Sequence, residues 1–296
     1  MTLRHAEIFL AVYETGNMRR AAESLYISQP TVSGAIREIE EEYGVLLFNR
    51  LNHRLFITPE GELLASYARR LLALYREMEH QLKNRAALPF LRIGATLTVG
   101  TCILPDILQA KKEQLAARVT VDNTRSIEEQ LLRGELDVGY VEGQIHHPDL
   151  MIEPVMEDQL IAVAAGPVPE PLSLAELCRR YPLLMREPGS GTREILDRAL
   201  MERSLPCEEG WVCSNTQAIL RAAEAGLGAA IISRLLAAEA LHRGTLQEIS
   251  LTDCELNRTF RLVWHKDKLM TPPLQLFRQA CMEYAEKRYK DCFIEE

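Results

Sequence analysis

The sequence predicts an all-α winged helix-turn-helix domain, a long linker helix, and an α/β domain of two lobes. Three observations predict it. Two short amphipathic stretches joined by a tight turn lie before Tyr43, an apolar row with heptad spacing runs from Leu64 to Leu82, and short apolar strands alternate with helical segments from Leu91 onward. A chain of 296 residues also exceeds one ordinary domain and suits two or three.

Leu3, Ile8, Phe9, Val12 and Tyr13 recur at helical spacing, and Gly16-Asn17 ends that helix. Residues 18–25 give a second short helix with Ala21, Ala22 and Leu25 inward. Ser28 is a suitable N-cap for a third, and Pro30 falls in its first turn, where a missing N–H costs nothing. That helix runs to about Tyr43 with Val32, Ala35, Ile36 and Ile39 inside. Two such helices around a tight turn make a helix-turn-helix unit. Phe48 and Arg54-Leu55-Phe56-Ile57 flank Leu51-Asn52-His53, which predicts a short hairpin, or wing.

Thr58-Pro59-Glu60 then starts a long helix with a cap, a proline at its first position and an acid in its first turn. Leu64, Ala68, Leu71, Tyr75, Met78 and Leu82 step by 4, 3, 4, 3 and 4, which favours a partner helix over packing on its own domain. We read this as a dimerisation helix closed by Pro89. Strands are expected at Leu91–Ala95, Val119–Asp122, Leu136–Val141, Leu160–Ala164, Pro182–Met185, Trp211–Cys213, Gly228–Ile232 and Phe260–His265. Helices near 99–115, 126–133, 173–180, 192–203, 215–226 and Pro272–Lys290 separate or follow them, which implies parallel sheets covered on both faces and a cleft between two lobes. The boundaries expected are 1–58, 59–89 and 90–296, with lobe I about 90–160 and 267–296 and lobe II about 161–266.

These residues match a family. Ala21-Ala22-Glu23-Ser24-Leu25, Ser28-Gln29-Pro30-Thr31-Val32-Ser33, Ile36-x-x-Ile39-Glu40, Leu46-Leu47-Phe48-x-Arg50 and Thr58-Pro59-x-Gly61 strongly resemble the N-terminal region of LysR-type transcriptional regulators. The linker helix and a periplasmic-binding-protein-like two-lobed effector-binding domain extend the resemblance along the chain. It implies a DNA-binding transcription regulator that responds to a small effector. Asn17-Met18-Arg19-Arg20 departs from the family, in which small or hydroxyl residues are usual there.

Ser28, Gln29, Thr31, Ser33 and Arg37, with Pro30 at the helix start, form the expected DNA-reading face, since hydroxyl, amide and guanidinium groups bond base edges or phosphates in a major groove. Arg50 and Arg54 on the hairpin suit phosphates or the minor groove. Overall charge gives this no support. Residues 1–90 carry eleven basic and eleven acidic side chains, so the other 23 basic and 31 acidic residues hold the entire net charge of −8.

Three segments share one design of strand end, hydroxyl or amide, and helix start: Thr96-Leu97-Thr98, Gly189-Ser190-Gly191-Thr192-Arg193 and Ser214-Asn215-Thr216. Each offers free backbone N–H groups and hydroxyl donors, which suits an anion, although Thr98, Ser190 or Thr192, and Asn215 would also serve as plain caps. The stretch from Arg186 to Arg193 resembles regulators of sulfur assimilation and carbon fixation, a branch whose effectors are small anions.

His146-His147 with Asp149 lacks further metal ligands nearby and is expected to be a solvated loop, so neither metal nor cofactor is expected. The seven cysteines are scattered without zinc spacing, and Cys207 with Cys213 is the one candidate redox pair. No nucleophile–base arrangement, phosphate loop or zinc signature points to an enzyme. A solute-binding receptor would need a signal peptide, and none is evident at the N-terminus, so the expected location is the cytoplasm. Expected partners are double-stranded DNA, a small and anionic effector, and the chain itself as a dimer through the linker helix and then a tetramer, with no membrane.

Overall fold

The computed structural model describes residues 1–51, 54–83, 88, 90–167 and 171–292. Contacts divide the molecule into two compact units, Met1–Ala87 with Leu132–Glu135, and Leu88–Leu131 with Leu136–Glu296.

The first unit begins with α1 (Leu3–Thr15), capped by the Thr2 hydroxyl and ended by Gly16 at φ 60°. Asn17 accepts N–H bonds from Arg19 and Arg20 to start α2 (Met18–Ser24), and Met18 packs inward, so the family departure at 17–20 builds a sound helix start. Ser28 caps α3 (Gln29–Tyr43), with Pro30 in the first turn and Gly44 at φ 68° as the stop. Strands β1 (Phe48–Leu51) and β2 (Arg54–Ile57) pair antiparallel as the expected wing, whose tip at 52–53 lies outside the described residues. Thr58 caps α4 (Pro59–Lys83) by accepting the Gly61 N–H. Gly61 is needed there, because a Cβ would run into Ile57 and the Leu47 carbonyl. Pro89 falls outside the described residues.

One core joins these pieces through Phe9, Val12, Ala21, Val32, Ile36, Ile39, Leu47 and Phe48. It also takes Ala65, Ala68 and Leu72 from α4, and this corrects the heptad reading. Ala68 is only 1% exposed and Leu64 packs beside it, so the first turns of α4 serve their own domain rather than a partner. The apolar row left in solvent is Leu63, Tyr67, Leu71, Leu74, Met78 and Leu82, with Tyr75 beside it. A straight helix turns 3.6 residues per turn, so a row at 3.5 drifts from one face to the next and can serve two neighbours in succession.

The second unit is a nine-stranded mixed sheet flanked by helices. Lobe I starts with β3 (Phe90–Ala95), α5 (Leu97–Cys102), α6 (Leu104–Ala110), β4 (Ala116–Val121), α7 (Thr124–Leu132) and β5 (Val138–Val141). The expected helix 99–115 is broken in two, because Ile103 leaves helical geometry (φ −124°) and Pro105 starts the next helix. Then β6 (Leu150–Ala164) crosses into lobe II, followed by α8 (Leu174–Arg180), β7 (Leu183–Arg186), α9 (Gly191–Glu202), β8 (Glu209–Cys213), α10 (Thr216–Glu224), β9 (Ala229–Ser233), α11 (Arg234–His242) and β10 (Gln247–Ile249). Strand β11 (Leu256–His265) crosses back, and α12 (Pro272–Cys292) closes lobe I.

The strand order is β4-β3-β5-β11-β6-β9-β7-β8, with β10 on β6. The parallel sheets expected are therefore corrected to one mixed sheet. The pairs β3–β4, β3–β5, β7–β8 and β7–β9 are parallel, whereas β11 with β5 and β6, and β6 with β9 and β10, are antiparallel. The fifteen-residue β6 extends well before the five residues expected, since Glu153, Glu157 and Asp158 interrupt its apolar pattern. In lobe I, Leu91, Ile93, Val138, Tyr140, Phe260, Leu262 and Phe277 share one core. In lobe II two cores lie on opposite faces of the sheet, one holding Leu160, Ala162, Met185 and Ile231 and the other Ile161, Val163, Leu184 and Ile232.

A buried ion-pair network clamps β3 to the start of β5. Asp137 accepts from the Arg92 backbone N–H and guanidinium and from Lys268, each at 2.7 Å. Burial alone would raise the Asp137 carboxyl, but Arg92 and Lys268 together outweigh it and hold it below the ordinary aspartate value. Because the folded value lies lower, the unfolded chain takes up this proton first as pH falls. The stabilisation is complete above the unfolded value of about 3.9 and is lost as pH falls from there through the lowered folded value. Asp137→Asn should therefore destabilise the unit at pH 7 and flatten its stability profile below about pH 4, read by urea unfolding across pH. An unchanged acid limb would take Asp137 out of this role.

Candidate functional site

Helix α3 turns Val32, Ala35, Ile36 and Ile39 into the core, which leaves Ser28, Gln29, Pro30, Thr31 and Arg37 exposed and Ser33 half-buried along the other side. The Ser28 and Thr31 hydroxyls lie 2.7 Å apart, and Ser28 also accepts the Thr31 N–H. The start of the helix thus presents a fixed set of polar groups. Tyr26, in the turn between α2 and α3, stands at φ 55° and is 96% exposed. Arg50 and Arg54 take positions in the wing strands, opposite Leu55 and Leu51 respectively.

The second candidate site lies where the lobes meet. Arg258 on β11 stands directly opposite Asp158 on β6, in the two strands that connect the lobes. Its side chain is 1% exposed. Its Nε donates to Asp158 at 2.7 Å, Nη1 to the Thr192 hydroxyl at 2.8 Å, and Nη2 to the Thr98 hydroxyl at 3.0 Å. Glu142, at the end of β5, lies 3.3 Å from Nη1. The Glu142 carboxylate also accepts from Thr98 at 3.2 Å and, closer still, from Thr96. Ser233, capping α11, donates to the other Asp158 oxygen at 2.9 Å. One guanidinium thus joins lobe I (Thr98, Glu142), lobe II (Thr192) and the strands between them (Asp158), while Thr96 and Ser233 brace the two acids. Burying an ion is costly unless it is paired and hydrogen-bonded, and here nearly every charged oxygen and nitrogen has a partner.

The lobes also touch through backbone. A Cβ on Gly191 would come within 2.5 Å of the Gly143 Cα, so two glycines allow the start of α9 to rest on the end of β5. At the rim, the Arg125 N–H points at the Gly189 carbonyl at 3.5 Å, and Asn123 donates to Glu187 at 3.4 Å. Gly189 itself sits at φ 88°, where a side chain is strained.

Of the expected effector residues, Thr98 and Thr192 converge on Arg258, Thr96 bonds the neighbouring Glu142, and Gly189 and Gly191 line the contact between the lobes. Ser190 is buried and makes no capping bond. Three others do not converge. Arg193 is turned away into pairs with Asp197 and Glu209. Asn215 is exposed and caps α10. Thr216 accepts from Arg186 at 3.3 Å, a guanidinium already held by Glu187. Arg258, Glu142 and Asp158 were missed, although Leu256, Arg258, Phe260 and Leu262 alternate, which places an arginine on the buried face of a strand.

Cys207 packs on one lobe II core and Cys213 on the other, across the sheet. Cys207 precedes β8, Cys213 ends it, and both thiols are free. Burial, then the Glu209 charge, push the Cys207 thiol up, which lowers its reactive thiolate fraction. In the loop at 146–149, Glu128 accepts the backbone N–H groups of His146 and His147, and the His147 ring accepts that of Asp149.

Residues 3–62 match the bacterial regulatory helix-turn-helix family of lysR type, and residues 89–286 match the LysR substrate binding domain. The chain belongs to the LysR family of transcriptional regulators. The regulator is 33% identical over 287 residues to the uncharacterized HTH-type transcriptional regulator YeiE of Escherichia coli (strain K12), covering 95% of this chain and 97% of that protein. It is 33% identical over 250 residues to the regulator CysL of Bacillus subtilis (strain 168), covering 79% and 82%. With the RuBisCO operon transcriptional regulator of Allochromatium vinosum it shares 28% over 297 residues, 98% of each. Among solved structures, ArgP from Mycobacterium tuberculosis superposes with a TM-score of 0.71 at 18% identity, covering 95% of this chain and 96% of that one. Full-length CbnR bound to its target DNA gives 0.65 at 23%, covering 96% and 100%. The regulator is thus a DNA-binding transcription regulator with an effector-binding domain, and not an enzyme.

Proposed function

We propose that a small anion, bound in the cleft of the second unit, controls the regulator's operator binding or promoter activation. The observation that carries this reading is the meeting of Thr98 from lobe I and Thr192 from lobe II on the buried Arg258 guanidinium, with Thr96 beside them on Glu142. Hydroxyl donors around a fixed cation are suited to an oxyanion. Contact with both lobes gives the effector a means to favour one lobe arrangement, and control requires that differential affinity. Dimers form through the exposed apolar row of α4 and assemble as tetramers, so that a change in lobe arrangement alters the spacing and bend of bound DNA. The place of action is the cytoplasm. Sulfate, sulfite, phosphate and small carboxylates, tested by thermal shift on the full chain, should include at least one that stabilises it. Stabilisation by neutral or aromatic compounds alone would remove the anionic effector.

On the DNA side, the exposed polar groups of α3 read the operator and the wing arginines Arg50 and Arg54 hold its backbone. Gln29→Ala with Thr31→Ala should lower affinity for the operator about tenfold or more, since a good base-edge pair supplies ~1–3 kcal/mol of discrimination. Binding to random DNA and dimerisation should persist. Gel-shift titration against an operator selected from genomic fragments checks this, and full operator affinity in the double variant would strip both residues of a reading role.

A further inference from the structure

We propose that Glu142 is a built-in surrogate anion, which fills the effector's place between Thr96, Thr98 and Arg258 and is displaced when the effector binds. The inference rests on the anionic-effector reading above and names the group that opposes it. Among the described residues the Glu142 carboxylate is held by side chains, with Oε2 accepting from Thr96, Oε1 accepting from Thr98, and Oε1 also paired with the Arg258 guanidinium at 3.3 Å. This is the donor set an oxyanion would use, already occupied by the chain's own carboxylate.

Charge and geometry show which carboxylate yields. Arg258 faces two acids, so the ionised cluster carries one excess negative charge. Asp158 is the permanent counter-ion, being 2.7 Å from Nε, in direct cross-strand register with Arg258, and braced by Ser233. Glu142 stands farther from the guanidinium, at 3.3 Å against 2.7 Å, and its other partners are neutral hydroxyls that an entering oxyanion can take over. An anion entering beside both acids would raise the excess to two negative charges in a site shut off from water, a strong repulsion at low dielectric. It binds well only where Glu142 leaves.

The departure has a mechanical consequence. Glu142 is followed by Gly143, whose backbone bears on Gly191 at the start of α9 in lobe II. Beside Gly143 lies the Thr124 hydroxyl, buried and, among the described residues, without a hydrogen-bond partner. Movement of Glu142 out of the cluster shifts this contact between the lobes, so ligand exchange and lobe rearrangement are one event.

The test is isothermal titration calorimetry of sulfate, inorganic phosphate and malonate into the full chain, as wild type, Glu142→Gln and Glu142→Ala. An anion that binds the wild type should bind Glu142→Ala at least tenfold tighter, and Glu142→Gln more tightly than wild type. Glu142→Gln keeps the shape of the side chain and carries the test should the alanine variant fail to fold. Equal or weaker anion binding by folded variants would overturn the surrogate role and leave the anionic effector standing. Binding of none of the three by any form, together with no anion stabilising the wild type in the thermal-shift panel, would bring down both.

Discussion

Arg258→Met is expected to lower the unfolding free energy of the second unit by about 3–5 kcal/mol, the cost of leaving a buried charge without its partner. The variant strands Asp158 and Glu142, both buried among hydroxyls and apolar side chains. It also removes the donor shared by Thr98 and Thr192. Both tryptophans of the chain, Trp211 and Trp264, lie in this unit, so the shift appears in the midpoint of a fluorescence-monitored urea transition. The triple variant with Glu142→Gln and Asp158→Asn should recover a large part of the loss, because replacing all the charged members of a buried network is far less costly than removing one. A loss below about 1 kcal/mol in the single variant would mean that the guanidinium is not holding the lobes.

Phe9→Ala should cost the first unit about 3–5 kcal/mol, the usual range for truncating a fully buried aromatic ring. Phe9 is completely buried on α1, with its ring 5.6 Å from Phe48 on the wing and 6.4 Å from Tyr13. The cavity therefore loosens both the helix pair and the strand that carries Arg50. With no tryptophan in this unit, the fluorescence transition should stay in place while a helix-monitored transition moves to lower urea. Operator affinity should fall with it as temperature rises. If both transitions held their wild-type midpoints, Phe9 would not be the joint between helices and wing.

The N-terminal unit was legible because every signal there is local. Ser28, Pro30 and Thr58 mark helix starts within one turn, and Gly16 marks a stop at positive φ. The long helix was legible in extent but less so in facing, since Ala68 and Leu71 obey one heptad pattern while the first packs inward and the second is exposed. In the sensor, the hydroxyls at Thr96, Thr98 and Thr192 were found from strand-end spacing. Their target was not, because Arg258 meets Thr98 across 160 residues of chain and Asp158 across 100. Antiparallel pairing of β6 with β11 sets Arg258 against Asp158, and charged residues disguise most of β6. Arg193 misled for the opposite reason. Its place at a helix start suited an anion, but Asp197 one turn on and Glu209 on β8 take it up.

The crossing of the chain between lobes through β6 and β11 also sets an order of folding. Lobe II is continuous in sequence between those strands, so its cores are complete once the ribosome has passed β10 and the first half of β11. Lobe I begins earlier, yet its core waits for Phe260 and Leu262, and for Leu274, Phe277 and Cys281 on the last helix. Units fold as their chain emerges, and long-range closure is slow. The later-made lobe is thus finished first, and the cleft assembles last, when lobe I closes and brings Thr98 and Glu142 to an Arg258 that emerged with β11.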